Sequence, residues 1–265
     1  MIPKNRKLIL IRGGGDLASG AATVLHRNGW QVIITELPEP RVVRRKVAFA
    51  EAVWDGQQQV EEIHSVLAKN DDEIASALSA GKIPVIVDPD ASLLERFDFA
   101  AVVDARMIKR FNDITYPRKL PIIGLGPGFV AGENCDVVIE TNRGENLGRI
   151  IRQGSAEQNT GIPGSVDGWG IERVLYSPSE GNIRTLVEIG ELVEKGQLLA
   201  VVGGTEVVAP FDGLVRGMLR DGLRVREHLK IGDVDPRKDL TLATSISDKA
   251  LVIGESVLKV VESLQ

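Results

Sequence analysis

Several groups of residues in this chain have the types and spacing to do chemistry. Gly13, Gly14 and Gly15, followed by Asp16, Leu17 and Ala18, come directly after the apolar run Leu8 to Ile11. The order Gly13-x-Gly15-x-x-Ala18 matches a dinucleotide-binding turn, in which each position has a physical task. Gly13 permits the tight turn, Gly15 removes the Cβ that would block a pyrophosphate, and Ala18 lets a helix lie close to a sheet. Backbone N–H groups at the helix start, from Gly14 to Leu17, would face the phosphate. Glu36, about 20 residues on, is placed to accept ribose hydroxyl protons and to repel a 2′-phosphate, which favours NAD over NADP. The plain alternative is a glycine turn that only joins a strand to a helix. Asp16 competes with a phosphate, whereas Arg41, Arg44, Arg45 and Lys46 could supply cations or form a solvated face.

A second group is Asp104-Ala105-Arg106, with Lys109 and Arg110 close behind. An acid at a strand end beside cations can hold an anionic ligand or transfer a proton, and it can equally do no more than cap the strand. Asp88 closes another apolar run. Gly124 and Gly126, in Ile122-Ile123-Gly124-Leu125-Gly126-Pro127-Gly128-Phe129, form a second glycine loop, in which Pro127 removes one N–H that a phosphate cradle would use. Cys135 is the single cysteine, so no intrachain disulfide or cysteine-pair metal motif exists, and a buried thiol is the expectation. His26, His64 and His228 stand at no metal-ligand spacing, and no metal site is expected.

These residues need elements to position them. Leu8 to Ile11 reads as a buried strand, Asp16 to Gly29 as a helix, and Val32 to Thr35 as the next strand. A short helix is expected over Pro38 to Val47, while Phe49 to Val60 is ambiguous. Ile63 to Lys69 and Asp72 to Ala80 read as helices, the second with Asp71 as N-cap. Strands follow at Val85 to Val87 and Ala100 to Val103, with a short helix through Leu93, Leu94 and Phe97 between them. The alternation predicts an α/β doubly wound parallel sheet, Rossmann-like, over residues 1–155, whose C-terminal rim gathers Gly13 to Gly15, Glu36, Asp88 and Asp104. Asn159 to Gly164 is rich in turn formers and reads as an active loop or a linker.

Residues 166–237 carry a repeat. Pro178-x-x-Gly181 recurs as Pro210-x-x-Gly213, Gly190-x-x-Val193 as Gly222-x-x-Val225, and Leu199 as Ile231, all 32 residues later and without gaps. Two copies of one strand-turn-strand unit imply a small β-domain with pseudo-twofold symmetry. The pattern resembles the barrel-sandwich fold of biotinyl and lipoyl carrier domains, but Gly203-Gly204-Thr205-Glu206 stands where a carrier needs its lysine. Residues 238–265 end in a helix with Ser247 and Asp248 as start signals. Its apolar stripe, Ala250, Ile253, Val257, Val261 and Leu264, must dock on a domain or a second subunit.

The chain has 265 residues, 43% of them hydrophobic, 28 glycines and a net charge of −5. It can bury a full core, and the acidic balance argues against a nucleic-acid partner. No membrane-length apolar run or secretory signal is evident, which places the expected location in the cytoplasm.

Taken together, GGGDLASG, VVDARMIKR, GLGPGF, NTGIPG, the AP-x-DG repeat, KIGDVDPR and the closing SDKA-x-x-IG helix resemble one family. It is the YqeB-type accessory protein of selenium-dependent molybdenum hydroxylase systems, whose first domain is related to xanthine dehydrogenase accessory proteins. The resemblance implies maturation of a molybdenum hydroxylase client, by handling a molybdopterin dinucleotide cofactor or by installing sulfur or selenium. Whether such a chain is an enzyme stays open. Two other function classes fit the residues: an NAD-dependent oxidoreductase using Asp104 or Lys109 for proton transfer, and a non-catalytic scaffold with an empty turn.

Overall fold

A computed structural model describes residues 7–108, 116, 120–158 and 166–264. The chain divides into two compact units that interleave in sequence: residues 1–40, 48–159 and 246–265 make the first, and residues 41–47 and 160–245 the second. Residues 41–47 thus leave the first stretch for the second unit, and the last helix returns to the first.

The first unit is built on a nine-stranded sheet. Its strands are β1 (Leu8–Arg12), β2 (Gln31–Glu36), β3 (Gln57–Val60), β4 (Ile63–Leu67), β5 (Ile83–Val87), β6 (Ala101–Asp104), β7 (Ile122–Leu125), β9 (Val137–Ile139) and β10 (Ile150–Ile151). A separate pair is formed by β8 (Val130–Ala131) and β11 (Gly154–Ser155). The order β10-β9-β7-β6-β1-β2-β5-β4-β3 puts β1 in the middle, where Ile9, Leu10 and Ile11 are fully enclosed. Burying each such side chain contributes about 1.5–3 kcal/mol.

This sheet corrects the expected fold class. It is mixed, because β10 and β3 run antiparallel to their neighbours, and among the described residues α-helices of more than one turn cross only from β1 to β2 and from β4 to β5. Ile63 to Leu67, read as helix, is strand β4: it pairs with β3 in a hairpin, where Ile63 and Ser65 point inward and His64 outward. The helix expected over 38–47 shrinks to one 3-10 turn, Arg45–Val47, and that near Leu93 to another, Ser92–Glu95. Among the described residues only α1 (Asp16–Arg27), α3 (Asp71–Ser79) and α5 (Asp248–Glu262) exceed two turns, α2 (Ala52–Asp55) being a single one.

Two of these helices show why they form where they do. The cap of α3 is Asn70, one residue before the expected Asp71: its Oδ1 accepts from Glu73 N at 2.9 Å, while Glu73 Oε2 accepts from Lys69 N. Ser247 caps α5 by accepting from Ala250 N at 3.2 Å. The apolar stripe of α5 then packs on α1, where Gly20 approaches Ala250 so closely that an added Cβ would stand 2.6 Å from the alanine Cβ. The other face of the sheet is filled by Leu8, Leu10, Ile33, Ile74, Leu93, Val102, Ile122 and Phe129.

The second unit holds β12 (Val174–Tyr176), β13 (Gly181–Thr185), β14 (Leu192–Val193), β15 (Leu198–Val202), β16 (Thr205–Val208), β17 (Gly213–Met218), β18 (Arg224–Val225), β19 (Lys230–Asp235) and α4 (Thr241–Thr244). They form two four-stranded antiparallel sheets, β12-β19-β17-β14 and β16-β15-β13-β18. The 32-residue offset maps each strand of the first half onto one of the second, and carries one sheet order into the other. The Rossmann-plus-barrel-sandwich description is therefore replaced by a mixed sheet and a pair of antiparallel sheets.

Candidate functional site

The central strands end together. Arg12 of β1 is in register with Thr35 of β2 and Asp104 of β6, and Glu36 of β2 with Val87 of β5, so Arg12, Glu36, Asp88 and Asp104 share one rim. The chain leaves β1 through Gly13, whose φ of +87° an L side chain rarely adopts, and enters α1 at Gly15 in extended conformation.

The three glycines differ in what surrounds them. A Cβ on Gly13 would stand 3.4 Å from the Ala105 carbonyl and the Arg106 backbone, and one on Gly14 only 2.8 Å from Ala50 N. Gly15 meets nothing within 4 Å. Gly14 is also tied at every polar group: its N–H donates to Glu36 Oε2 at 2.7 Å, and its carbonyl accepts from Ala50 N at 2.9 Å and from the Ser19 hydroxyl at 3.1 Å. Glu36 Oε1 accepts from Leu37 N at 2.7 Å. Burial raises the Glu36 carboxyl above its ordinary value, against the lowering effect of the Leu37 and Gly14 amides. Asp16 and Leu17 begin α1 after Gly15, its N-cap residue, which has no side-chain cap hydrogen bond.

Beside Gly13 lies a hydrogen-bonded chain under the rim. Asp104 is fully buried, and Arg106 grips it bidentately, Nε to Oδ1 at 2.9 Å and Nη2 to Oδ2 at 2.6 Å. The Tyr116 hydroxyl donates to Asp104 Oδ2, Arg12 Nη1 donates to the Tyr116 oxygen at 3.1 Å, and Arg12 Nη2 donates to the Pro89 carbonyl. Burial and the adjacent Asp104 carboxylate push the Tyr116 phenol well up, which keeps it a neutral donor. Burial works against the Arg106 cation, but its bonds to Asp104 outweigh this and raise its pKa. The Arg106 side chain keeps 29% of its surface exposed.

The other expected residues play different parts. Asp88 accepts from Ser92 N at 2.9 Å and Leu93 N at 3.0 Å, so it caps the following 3-10 turn. Gly124 leaves room for the Phe129 ring, which an added Cβ would meet at 2.2 Å, and Gly126 lies against Thr141. The second glycine loop is thus packed on its own protein. Lys109, Arg110 and residues 159–165 fall outside the described residues. Cys135 is buried, and burial pushes its thiol up to about 12. Arg12, Tyr116 and Ala50 are parts of this site that the motif reading missed: Arg12 looked like the tail of a strand, and neither Tyr116 nor Ala50 has a spacing signal. Among the described residues no group of three or more His, Cys, Asp or Glu could hold a metal ion, and no helix is long and apolar enough to cross a membrane.

No protein-family model matches the chain. It is 46% identical over 258 residues to the uncharacterized protein YqeB of Escherichia coli K12, an alignment that covers 97% of this chain and 48% of that protein. The chain thus spans about half the length of the curated relative it matches. Solved structures similar to it include an aspartoacylase family protein from Mesorhizobium loti, at 16% identity and a TM-score of 0.28 over 87% of this chain and 85% of that one. A succinylglutamate desuccinylase from a Silicibacter species gives 14%, 0.27, 86% and 84% for the same measures. The ectoine utilization protein EutE (DoeB) from Ruegeria pomeroyi with product bound gives 14%, 0.24, 77% and 57%.

The expectation that the turn binds NAD, molybdenum or selenium is corrected by the turn's own geometry. Its physical basis fails at Glu36: the carboxylate meant for a ribose is seated on the chain's own amides, and it occupies the Gly14 N–H that a pyrophosphate would use.

Proposed function

Starting from homology to one half of a YqeB-type protein, we propose that this chain is an accessory protein that holds a phosphorylated small ligand at the start of α1. The observation that carries the reading is the contrast among the glycines: Gly13 and Gly14 face their own protein, whereas Gly15 opens on free space at the N-terminus of a 12-residue helix. Helix-terminal amides and dipole favour a dianion there. Arg106, fixed by Asp104 and partly exposed, adds a cation beside the turn. The ligand is written as a phosphate ester or diphosphate, the class this chemistry recognises. By resemblance the client served is a molybdenum hydroxylase.

Calorimetric titration with pyrophosphate and ADP tests this. Binding of at least one probe, weakened tenfold or more by Gly15→Val, is expected, because a side chain there fills the open space; no saturable binding by any probe would sink the reading. The client role predicts that a purified hydroxylase is retained by the native chain and lost with Gly15→Val. A scaffold with a closed turn is the second reading, favoured by the Glu36 carboxylate on Gly14 N–H. It predicts equal retention of the hydroxylase by both.

A further inference from the structure

Within the first unit, strands β6 and β7 end side by side, with Asp104 in register with Gly124. After β6 the chain turns at once. Ala105 N–H donates to the Arg12 carbonyl at 2.9 Å, Arg106 N–H donates back to Asp104 Oδ1 at 3.3 Å, and Met107 has a φ of +54°. That is a left-handed conformation, which few residues other than glycine, asparagine, aspartate and histidine adopt. The loop that follows β7 receives this turn. A Cβ on Gly128 would stand 2.2 Å from the Ile108 carbonyl oxygen and 2.5 Å from Ile108 Cγ1, and one on Gly126 would stand 3.3 Å from Met107 Cε. The bare α-carbon of Gly128 is therefore the surface against which the Ile108 backbone lies.

We propose that the second glycine loop is a seat for Met107 and Ile108 that holds Arg106 in place beside the first glycine turn. Arg106 bonds Asp104 through its backbone N–H, its Nε and its Nη2, which requires the chain to double back directly after β6. The left-handed Met107 is part of that reversal, and such a residue persists only where its surroundings over-determine it. Gly128, bare against the next carbonyl in the chain, and Gly126, close to the Met107 side chain, supply those surroundings. On its other side the Arg106 backbone lies against Gly13, where an added Cβ would stand 3.4 Å from Arg106 N and Cα. Met107 and Gly128 are thus positioning residues: they act through Arg106 and need touch no ligand. The consequence for binding rests on the phosphate reading, whereas the seat itself does not.

Nuclear magnetic resonance on the full chain without ligand tests the seat, by following exchange of the Arg106 Nε–H with water. Gly128→Ala presses a methyl group on the Ile108 carbonyl, and Met107→Val puts a β-branched residue at a φ of +54°. Each should speed the exchange about tenfold or more, as for a local opening. Met107→Asn, which tolerates the left-handed conformation, should stay within about threefold of the native rate. The Val102 amide, which donates to the Pro121 carbonyl, should stay protected in all of these variants and shows that β6 and β7 remain paired. A native Arg106 rate in both Gly128→Ala and Met107→Val overturns the seat, as does an equal acceleration by Met107→Asn. Calorimetry with pyrophosphate reads the consequence: affinity should fall about tenfold in Gly128→Ala, as for a lost charge-assisted contact. An unchanged affinity with a loosened Arg106 overturns the positioning role. Absence of pyrophosphate binding by the native chain counts against the phosphate reading alone, and the exchange rates then decide the seat.

Discussion

Asp104 is the most enclosed charge near the turn, and its two oxygens carry four donated bonds, from Arg106 N, Nε and Nη2 and from Tyr116. Removing its charge while keeping its shape strands a guanidinium that is only partly reached by water. Asp104→Asn should cost about 3 kcal/mol, the low end for a broken buried pair because Arg106 is partly exposed. Tyr116→Phe removes one hydroxyl between Arg12 and Asp104 and should cost less, roughly 1–2 kcal/mol. Urea denaturation of the two variants checks the order; a larger loss for Tyr116→Phe would mean that the phenol, not the ion pair, holds the rim together. Glu36 gives a pH prediction. Its folded carboxyl lies above the ordinary 4.5, so the folded chain binds that proton more tightly than the unfolded one. The contribution is most favourable below the unfolded pKa, falls as the pH rises to the folded pKa, and stays low above it. Glu36→Gln does not titrate, so its stability relative to the native chain should rise with pH across that window. A difference that is flat with pH in a series of urea titrations would refute the burial-raised carboxyl.

At the scale of elements, the seam between α1 and α5 is set by small residues. An added Cβ on Gly20 would stand 2.7 Å from the Ala250 carbonyl oxygen, and one on Gly254 would stand 2.8 Å from Val24 and 2.9 Å from the Gly20 carbonyl. Backbone atoms cannot swing aside, so Gly20→Val should cost about 3 kcal/mol as an overpacked core does, read as a lowered denaturation midpoint with unchanged slope. The same elements show what the sequence disclosed. Strand β1, helix α1, strand β2 and helix α5 were legible because their apolar residues fall in a clean period, with Gly15 and Ser247 marking two of the starts. Strand β4 was not, since Ile63, Val66 and Leu67 fit a helical stripe as well as a strand, and only pairing with β3 decides. Glu36 and Asp104 were found at the rim because strand ends are predictable. Their bonds to Gly14, Leu37 and Tyr116 were not, because hydrogen bonds across the fold leave no trace in spacing. The second glycine loop misled for the same reason: glycines that admit Phe129 look identical, as letters, to glycines that admit a phosphate.

At the scale of the whole molecule, the chain passes between its two units several times, which makes neither a contiguous cut of the sequence. The second unit takes residues 41–47 from far upstream, and its strand β17 uses them as structure: Met218 N–H has Val43 as its acceptor, and Gly217 has Val43 as its cover. A fragment of residues 160–245 alone would expose that N–H and the apolar contact beside it, and would leave Leu242 and Ser245 carbonyls without Arg44. Each lost buried hydrogen bond costs on the order of 1 kcal/mol, and a unit this small has only about 5 kcal/mol or so to lose. The fragment should therefore be poorly ordered, whereas the same fragment with residues 41–47 joined through a flexible linker should fold. Amide dispersion in a two-dimensional NMR spectrum separates the cases. Equal dispersion with and without 41–47 would show that the upstream segment is a passenger on β17.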